Sequence, residues 1–461
     1  MIRVAAALVA LLAGAVPGGT ALAQNRVGEV IFVQGLVSAQ RPGAAPRLLD
    51  RGEPLFEGEV VSTGARAYAQ IQLADGTRMT LRPDTGFAVS RLSQQAGQES
   101  LTMQLLRGGL RTITGLISRG GPDRMRIQTT TATIGVRGTE FDARLCTTDC
   151  AQEQRTARPA PAAQPQADVV ARVATLDGSV TATTPAGAQR SLAPGAALFT
   201  GDTVRTAAGA VAVIAFRDRS VVTLTGGSEF RLQEVRFRPG APGEDSLVLR
   251  LLTGGLRVLT GALATRRPAA VRVETTTATI GVRGSGFDVR LGEDCVGAVC
   301  KVDSTFVHVW ARLVFLAADG HELDVPADQS AVFGGARAAP VLLAVIPAFF
   351  LQETAPRPDT VKIDFDRLFA VRRLDDVPPG LYVGVRAGNV SLGATGGEPI
   401  DLGPFEAGLL REGSQQPERI EPLPAFLFSD PFPIPDGRNP QVRLIELLGL
   451  GGQGSLECEV R

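Results

Sequence analysis

The sequence predicts an all-β fold with very little helix: two duplicated domains of short strands and hairpins, either β-solenoid-like or packed as a sandwich. Three observations predict it. The chain repeats itself internally, its apolar residues alternate with polar ones at the two-residue period of a strand, and glycine is abundant, 53 residues, and sits at the predicted turns. No stretch of the mature chain carries the longer period of an amphipathic helix.

The first element is an export signal. Arg3 supplies a positive start, the apolar run from Val4 to Val16 follows, and Pro17 breaks it. Ala21-Leu22-Ala23 then gives the small-x-small pattern of a signal-peptidase site, so residues 1–23 are expected to be a signal peptide. The run is shorter than the roughly 20 residues a membrane span needs, and no cysteine follows the cleavage site to receive a lipid. The one later candidate, 338–351, is short and interrupted by Pro340 and Pro347. No integral membrane span is therefore expected after cleavage, and the protein is expected to be periplasmic or secreted. The roughly 440 residues that remain suit two or three domains.

Within the first domain, residues 28–150, the run from Tyr68 to Leu73 alternates, Asp75-Gly76 makes a hairpin turn, and Thr77 to Leu81 alternates again. Gly58, Val61, Thr63, Leu81 and Phe87 return as Gly201, Val204, Thr206, Leu224 and Phe230. The block Leu105-Leu106-x-Gly108-Gly109-Leu110-Arg111 returns at Leu251 to Arg257. The strongest repeat is TTTATIGVRG, present at 129–138 and unchanged at 275–284, each time followed by Phe-Asp (Phe141-Asp142 and Phe287-Asp288). Such identity at matched positions marks a duplication. In this block Ala132, Ile134 and Val136 share one face of a strand, and Thr133, Gly135 and Arg137 the other.

Residues 151–168, rich in Ala, Gln, Pro and Arg, read as an extended linker. The second domain with its closing β segment follows at 171–352. A weaker repeat lies downstream: Val307, Val309, Ala311, Leu316 and Gly320 resemble Val383, Val385, Ala387, Leu392 and Gly396. Each copy runs into a Pro-Ala-Phe segment, Pro347-Ala348-Phe349 and Pro424-Ala425-Phe426. There are thus two cores and two closing segments. One expectation is nesting, in which 380–435 completes the first domain across the inserted second one; the alternative is a string of independent modules. Residues 436–461 form a tail.

The motif order at 58–63, the Asp-Gly hairpin, the Leu-x-x-Gly block and Thr-x-x-Ala-x-Ile-Gly-Val-Arg-Gly-Thr-x-Phe-Asp at 129–142 resembles the FecR domain, named after the iron-dicitrate sensor. The resemblance covers 28–145 and 171–291. Ser285 and Gly286 replace Thr139 and Glu140 in the second copy. For the namesake it implies a transmembrane regulator of a sigma factor, whose periplasmic region contacts an outer-membrane transporter. With neither a cytoplasmic domain nor a retained span expected, this chain is more similar to stand-alone exported FecR-domain proteins, and direct sigma-factor control is not expected.

Five cysteines are present. Cys146 with Cys150 and Cys295 with Cys300 form two local pairs, disulfide candidates in an oxidising compartment; Cys458 is left without a role. Four or five steps along a strand separate Cα atoms by roughly 13–17 Å, whereas a bridge needs less than about 7 Å, so each pair must close a tight loop. Metal ligation is the rival reading, but no histidine lies nearby.

Gly135, Arg137, Gly138, Phe141 and Asp142, with Gly281, Arg283, Gly284, Phe287 and Asp288, are the motif residues with a structural expectation. Arg137 and Arg283 could hold a ligand; the reading preferred is a pair with Asp142 and Asp288, or with a backbone carbonyl, because a charge in a β-core is normally partnered. The glycines are expected to allow a bulge or a close strand approach, since no helix start follows to cradle a phosphate. The two histidines, His308 and His321, fall in no nucleophile-elbow or zinc pattern. No catalytic residue, metal or cofactor is expected.

The formal net charge is zero and no basic stripe is present, so no nucleic-acid partner is expected. What remains is a non-enzymatic envelope module for binding, assembly or accessory signalling, with an envelope or outer-membrane protein as partner. The alternative is a peptidoglycan or polysaccharide binder, for which one Trp and two Tyr are thin support.

Overall fold

The computed structural model describes residues 25–120, 123–157, 169–187, 189–237, 242–296, 299–318, 320–334, 339–429 and 432–435. The expected signal peptide, most of the linker, the tail and Cys458 lie outside the described residues. Strands dominate, and the longest helix described, Asp149–Thr156, has 8 residues. The protein is all-β with little helix.

The alternation read from the sequence becomes two hairpins with the same geometry. Tyr68–Leu73 pairs with Arg78–Leu81, and Val211–Phe216 pairs with Val221–Leu224. Asp75 and Asp218 tie their turns in the same way: one carboxylate oxygen accepts the backbone N–H two residues on, and the other accepts the hydroxyl of Thr77 or Ser220. Thr129 and Thr275 open the repeated block, each accepting the backbone N–H of the alanine three residues later. This local turn starts the strand at Ala132 in the first copy.

The first unit is a single 17-stranded sheet. Its long strand Ala132–Cys146 lies antiparallel to Gly380–Ala394, with register running from Ala132↔Ala394 to Cys146↔Gly380. The apolar faces of both strands enter one core, where Ile134, Val136 and Phe141 meet Val383, Val385 and Leu392. The second unit has two nine-stranded sheets that close over a shared core containing Ile214, Phe230, Leu256, Ile280 and Phe287.

The difference is visible at one duplicated backbone position. Gly138 (φ 56°) lies at a shift of register inside the Ala132–Cys146 strand, which continues through it. Its copy Gly284 (φ 76°) falls between two separate strands, Thr279–Val282 and Gly286–Val296, so the layers part there.

Part of the expected linker is not extended. Residues 151–156 belong to the helix Asp149–Thr156. The Cys146–Cys150 disulfide closes its first turn with Cα atoms 5.5 Å apart, and Arg144 holds Asp149 at 2.6 Å and Glu153 at 2.5 Å. Composition favoured an open chain, but these tertiary ties select a helix for Ala151, Gln152, Glu153 and Gln154. Among the described residues no helix is long and apolar enough to cross a membrane.

Candidate functional site

In each unit a row of cross-strand neighbours runs over the outer face of the sheet. In the first it is Gln70, Thr80, Arg111, Asp142 and Gly384, each directly opposite the next. In the second it is Val213, Thr223, Arg257, Asp288 and His308, ending at Ser330. Side chains of such a row share one face, so the duplication has placed an Arg–Asp pair at the same point of both units.

Asp142 is fully buried (0% exposed). Its Oδ1 accepts Nε of Arg111 at 2.9 Å and its Oδ2 accepts Nε of Arg386 at 2.8 Å, with Arg82 3.8 Å away. Asp288 accepts both Nε and Nη2 of Arg257 at 3.1 Å, and the indole N–H of Trp310 at 3.0 Å. Arg386 and Trp310 occupy matching positions in the two closing strands, so one carboxylate is completed by a guanidinium and the other by an indole.

The remaining guanidinium hydrogens point outward and meet backbone carbonyls. Arg111 Nη1 donates to the Phe432 carbonyl at 2.6 Å, Thr80 Oγ1 to that of Pro433 at 2.9 Å, and Gln70 Nε2 to that of Ile434 at 3.5 Å. Arg82 and Arg386 donate to the carbonyls of Phe426 and Leu427 at 2.8 and 2.7 Å. The chain from the short helix Ala425–Phe428 to residue 435 is thus strapped over the row, excluding 430–431, which are not described. In the second unit Arg257 Nη1 donates to the Ala355 carbonyl at 2.7 Å, and Pro358, which follows on the same strap, is buried.

The motif residues fall as follows. Phe141 and Phe287 are fully buried in the two cores. Gly135 faces Ser391 across the sheet, and a Cβ on Gly281 would sit 1.8 Å from the Phe315 ring. Asp142 and Asp288 are paired, but not with Arg137 and Arg283. The partners are Arg111 and Arg257, on the neighbouring strand, and the duplicated Leu-Leu-x-Gly-Gly-Leu-Arg block was the signal for them. Arg137 instead donates to a backbone carbonyl, that of Leu192 in the second unit, at 3.0 Å; Arg283 is exposed. Thr139 and Ser285 serve alike, each donating its hydroxyl to a carbonyl of the adjoining strand, Asn389 or Leu313. Cys295 and Cys300 face each other across a hairpin; their side chains are outside the description.

A polar seam joins the units beside Arg137. Asn389 donates to the Ser191 carbonyl at 3.1 Å, and buried Arg172 pairs with Glu406 and donates to the Gly195 carbonyl. Burial pushes the nearby Asp401 carboxyl up to about 7, against the pull of Arg419, Arg137 and Arg172. Burial and the charge of Arg172 lower Arg419 to about 10. Next to the seam lies an open groove of about 840 Å³, lined among others by Arg367, Arg372, Glu398, Ile400 and Glu418, with no aromatic ring in its lining. Arg367 pairs with Glu398 and Arg372 with Glu418, and Arg419, also in the lining, donates to the backbone carbonyl of Asp401.

Ser330, His308 and Asp288 are consecutive in the second row, the residue types of a nucleophilic triad, but their chemistry differs from one. Ser330 is 1% exposed, His308 meets it through Nδ1 at 3.1 Å, and Asp288 is engaged by Arg257 and Trp310. A triad needs an accessible hydroxyl and a carboxylate that orients the imidazole. Among the described residues no group of three or more His, Cys, Asp and Glu could hold a metal.

The family model described as FecR protein matches residues 59–181 and 202–301. Two crystal structures of a proposed anti-sigma factor from Parabacteroides distasonis ATCC 8503 are similar to part of the chain. One has 14% identity and a TM-score of 0.24, covering 31% of this chain and 59% of that one. The other has 14% identity and a TM-score of 0.25, covering 39% of this chain and 83% of that one. No curated protein matches the sequence.

Proposed function

From the premise that this chain is a FecR-domain protein with two FecR regions, we propose that it is a non-catalytic, exported envelope protein that binds a protein partner as an assembly or signalling-accessory module. The observation that carries this reading is the duplicated arginine, Arg111 or Arg257, which in each unit already holds a stretch of polypeptide by a backbone carbonyl, joined in the first unit by Thr80. A face equipped in this way recognises chain, not a reacting group. Recognition would then use the sheet faces, in contrast to the edge pairing common for β-folds.

The proposal extends to organisation and place. The second domain is nested in the first, as supported by the pairing of Ala132–Cys146 with Gly380–Ala394 across the whole intervening unit. Residues 1–23 direct export, and the mature protein works in the periplasm or beyond it. The test is a crosslinking pull-down of the tagged mature protein from intact cells, analysed for proteins and glycans. One dominant envelope protein supports the reading. Enrichment of wall fragments without any protein would replace it with a peptidoglycan or polysaccharide binder.

A further inference from the structure

The straps themselves are a repeat. Glu353-Thr354-Ala355-Pro356-Arg357-Pro358-Asp359 and Asp430-Pro431-Phe432-Pro433-Ile434-Pro435-Asp436 share the pattern acid-x-x-Pro-x-Pro-Asp. They meet their sheets at the same point. Arg257 takes the carbonyl of Ala355 and Arg111 takes that of Phe432, in each case the carbonyl just before the first shared proline. A proline has no N–H to add to a sheet edge, so an extended proline segment must be read through its carbonyls by side-chain donors. In the second strap Arg357, between the two prolines, is extended (φ −66°, ψ 138°) and Pro358 begins a short 3-10 turn to Thr360; an extended proline segment costs little to order. The rows of the two units supply such donors, and aromatic side chains flank them. Tyr68 contacts the Phe432 ring at 6.2 Å, and Arg357 of the other strap stacks 4.2 Å over Trp310.

We propose that each arginine row is a recognition groove for extended x-Pro-x-Pro segments, filled in cis by the chain's own straps, and that the protein partner presents such a segment in trans. This rests on the reading of the chain as a protein-binding module and names the chemistry of what it binds. The two grooves are filled unequally. Thr80 donates to the strap carbonyl of Pro433, whereas its counterpart Thr223, fully buried in the same row, has no hydrogen-bond partner for its hydroxyl among the described residues. The second groove is the less completely used by its strap and the easier to open.

The single tryptophan, Trp310, reports on that groove. In the full mature chain, Arg357→Ala removes the stacked guanidinium and loosens the strap; Arg357→Ala with Pro358→Ala is the stronger variant. The probe is a blocked peptide of the sequence of residues 353–360. Trp310 emission is expected to change in the variant and to return along a saturable curve as peptide is added. The unaltered chain should need at least about tenfold more peptide, because a short tether acts at millimolar effective concentration. A peptide with both prolines replaced by alanine should bind at least about tenfold more weakly. Altered emission with no saturable response, or equal binding of the alanine peptide, overturns the proposal. A strap that neither variant loosens is a fixed wall of the domain and overturns it too. None of these outcomes alters the pull-down, which tests protein binding separately.

Discussion

Arg137 and Arg283 occupy the same place in an identical block, yet their surroundings assign them different work. Arg137 bridges to Leu192 in the other unit, while Arg283 is exposed. Removing a charged donor leaves a carbonyl without its partner and costs about 1–2 kcal/mol when the site is half-buried; an exposed side chain rarely matters by more than about 0.5 kcal/mol. Arg137→Ala should therefore lower the urea midpoint and Arg283→Ala should leave it unchanged; equal effects would remove the seam contact from the account. The sequence made the buried aspartates legible through their position after a repeated phenylalanine. It hid their partners, because Arg111 lies opposite Asp142 only once the strand register is known. Asp401 gives a second residue-level expectation. Its folded-state value of about 7 lies above the ordinary carboxylate value, so the folded chain holds this proton more tightly than the unfolded chain. Below about pH 4 both states are protonated and nothing is lost. As pH rises toward 7 the unfolded state ionises first and the stabilisation fades, with an upper bound of roughly 4 kcal/mol. Asp401→Asn should match the native chain near pH 4 and exceed it in melting temperature at pH 8. A difference independent of pH would assign the effect to packing.

At the scale of elements, the disulfide, the helix and the strap form one chain of support. Cys146–Cys150 fixes the start of the helix Asp149–Thr156. Gln154 on that helix accepts the backbone N–H of Ala425 at 2.8 Å, and of Phe426 at 3.4 Å, where the first strap begins. A bridge closing so short a loop contributes about 2 kcal/mol by chain entropy. Replacing both cysteines by serine should cost about that much and speed amide exchange at Ala425 and Phe426. Unchanged exchange would mean that Arg144, through Asp149 and Glu153, holds the helix unaided. The hairpins were legible because alternation and an Asp-Gly turn are local signals. The helix was not, since its order comes from a disulfide and an arginine outside its own composition. The straps escaped periodicity altogether; proline-containing segments have none, and only alignment of the two copies reveals them.

For the whole molecule, the sequence carried the duplication and the count of two cores and two closing segments, which left nesting and independent modules both open. The antiparallel match of Ala132–Cys146 with Gly380–Ala394 gives nesting a concrete consequence. A protease nick in 158–168 should leave the N-terminal fragment attached through gel filtration under native conditions, and its release would favour independent modules. The most direct measurement for binding through the strapped faces is site-specific photo-crosslinking in intact cells. A photoreactive residue would replace Tyr68, beneath the first strap, and in a second chain Arg283, exposed between the strands Thr279–Val282 and Gly286–Val296. An adduct to one envelope protein is expected from position 68, increased by Phe432→Ala, with little from position 283. Capture from position 283 alone, or capture from position 68 that Phe432→Ala leaves unchanged, would contradict binding through the strapped faces.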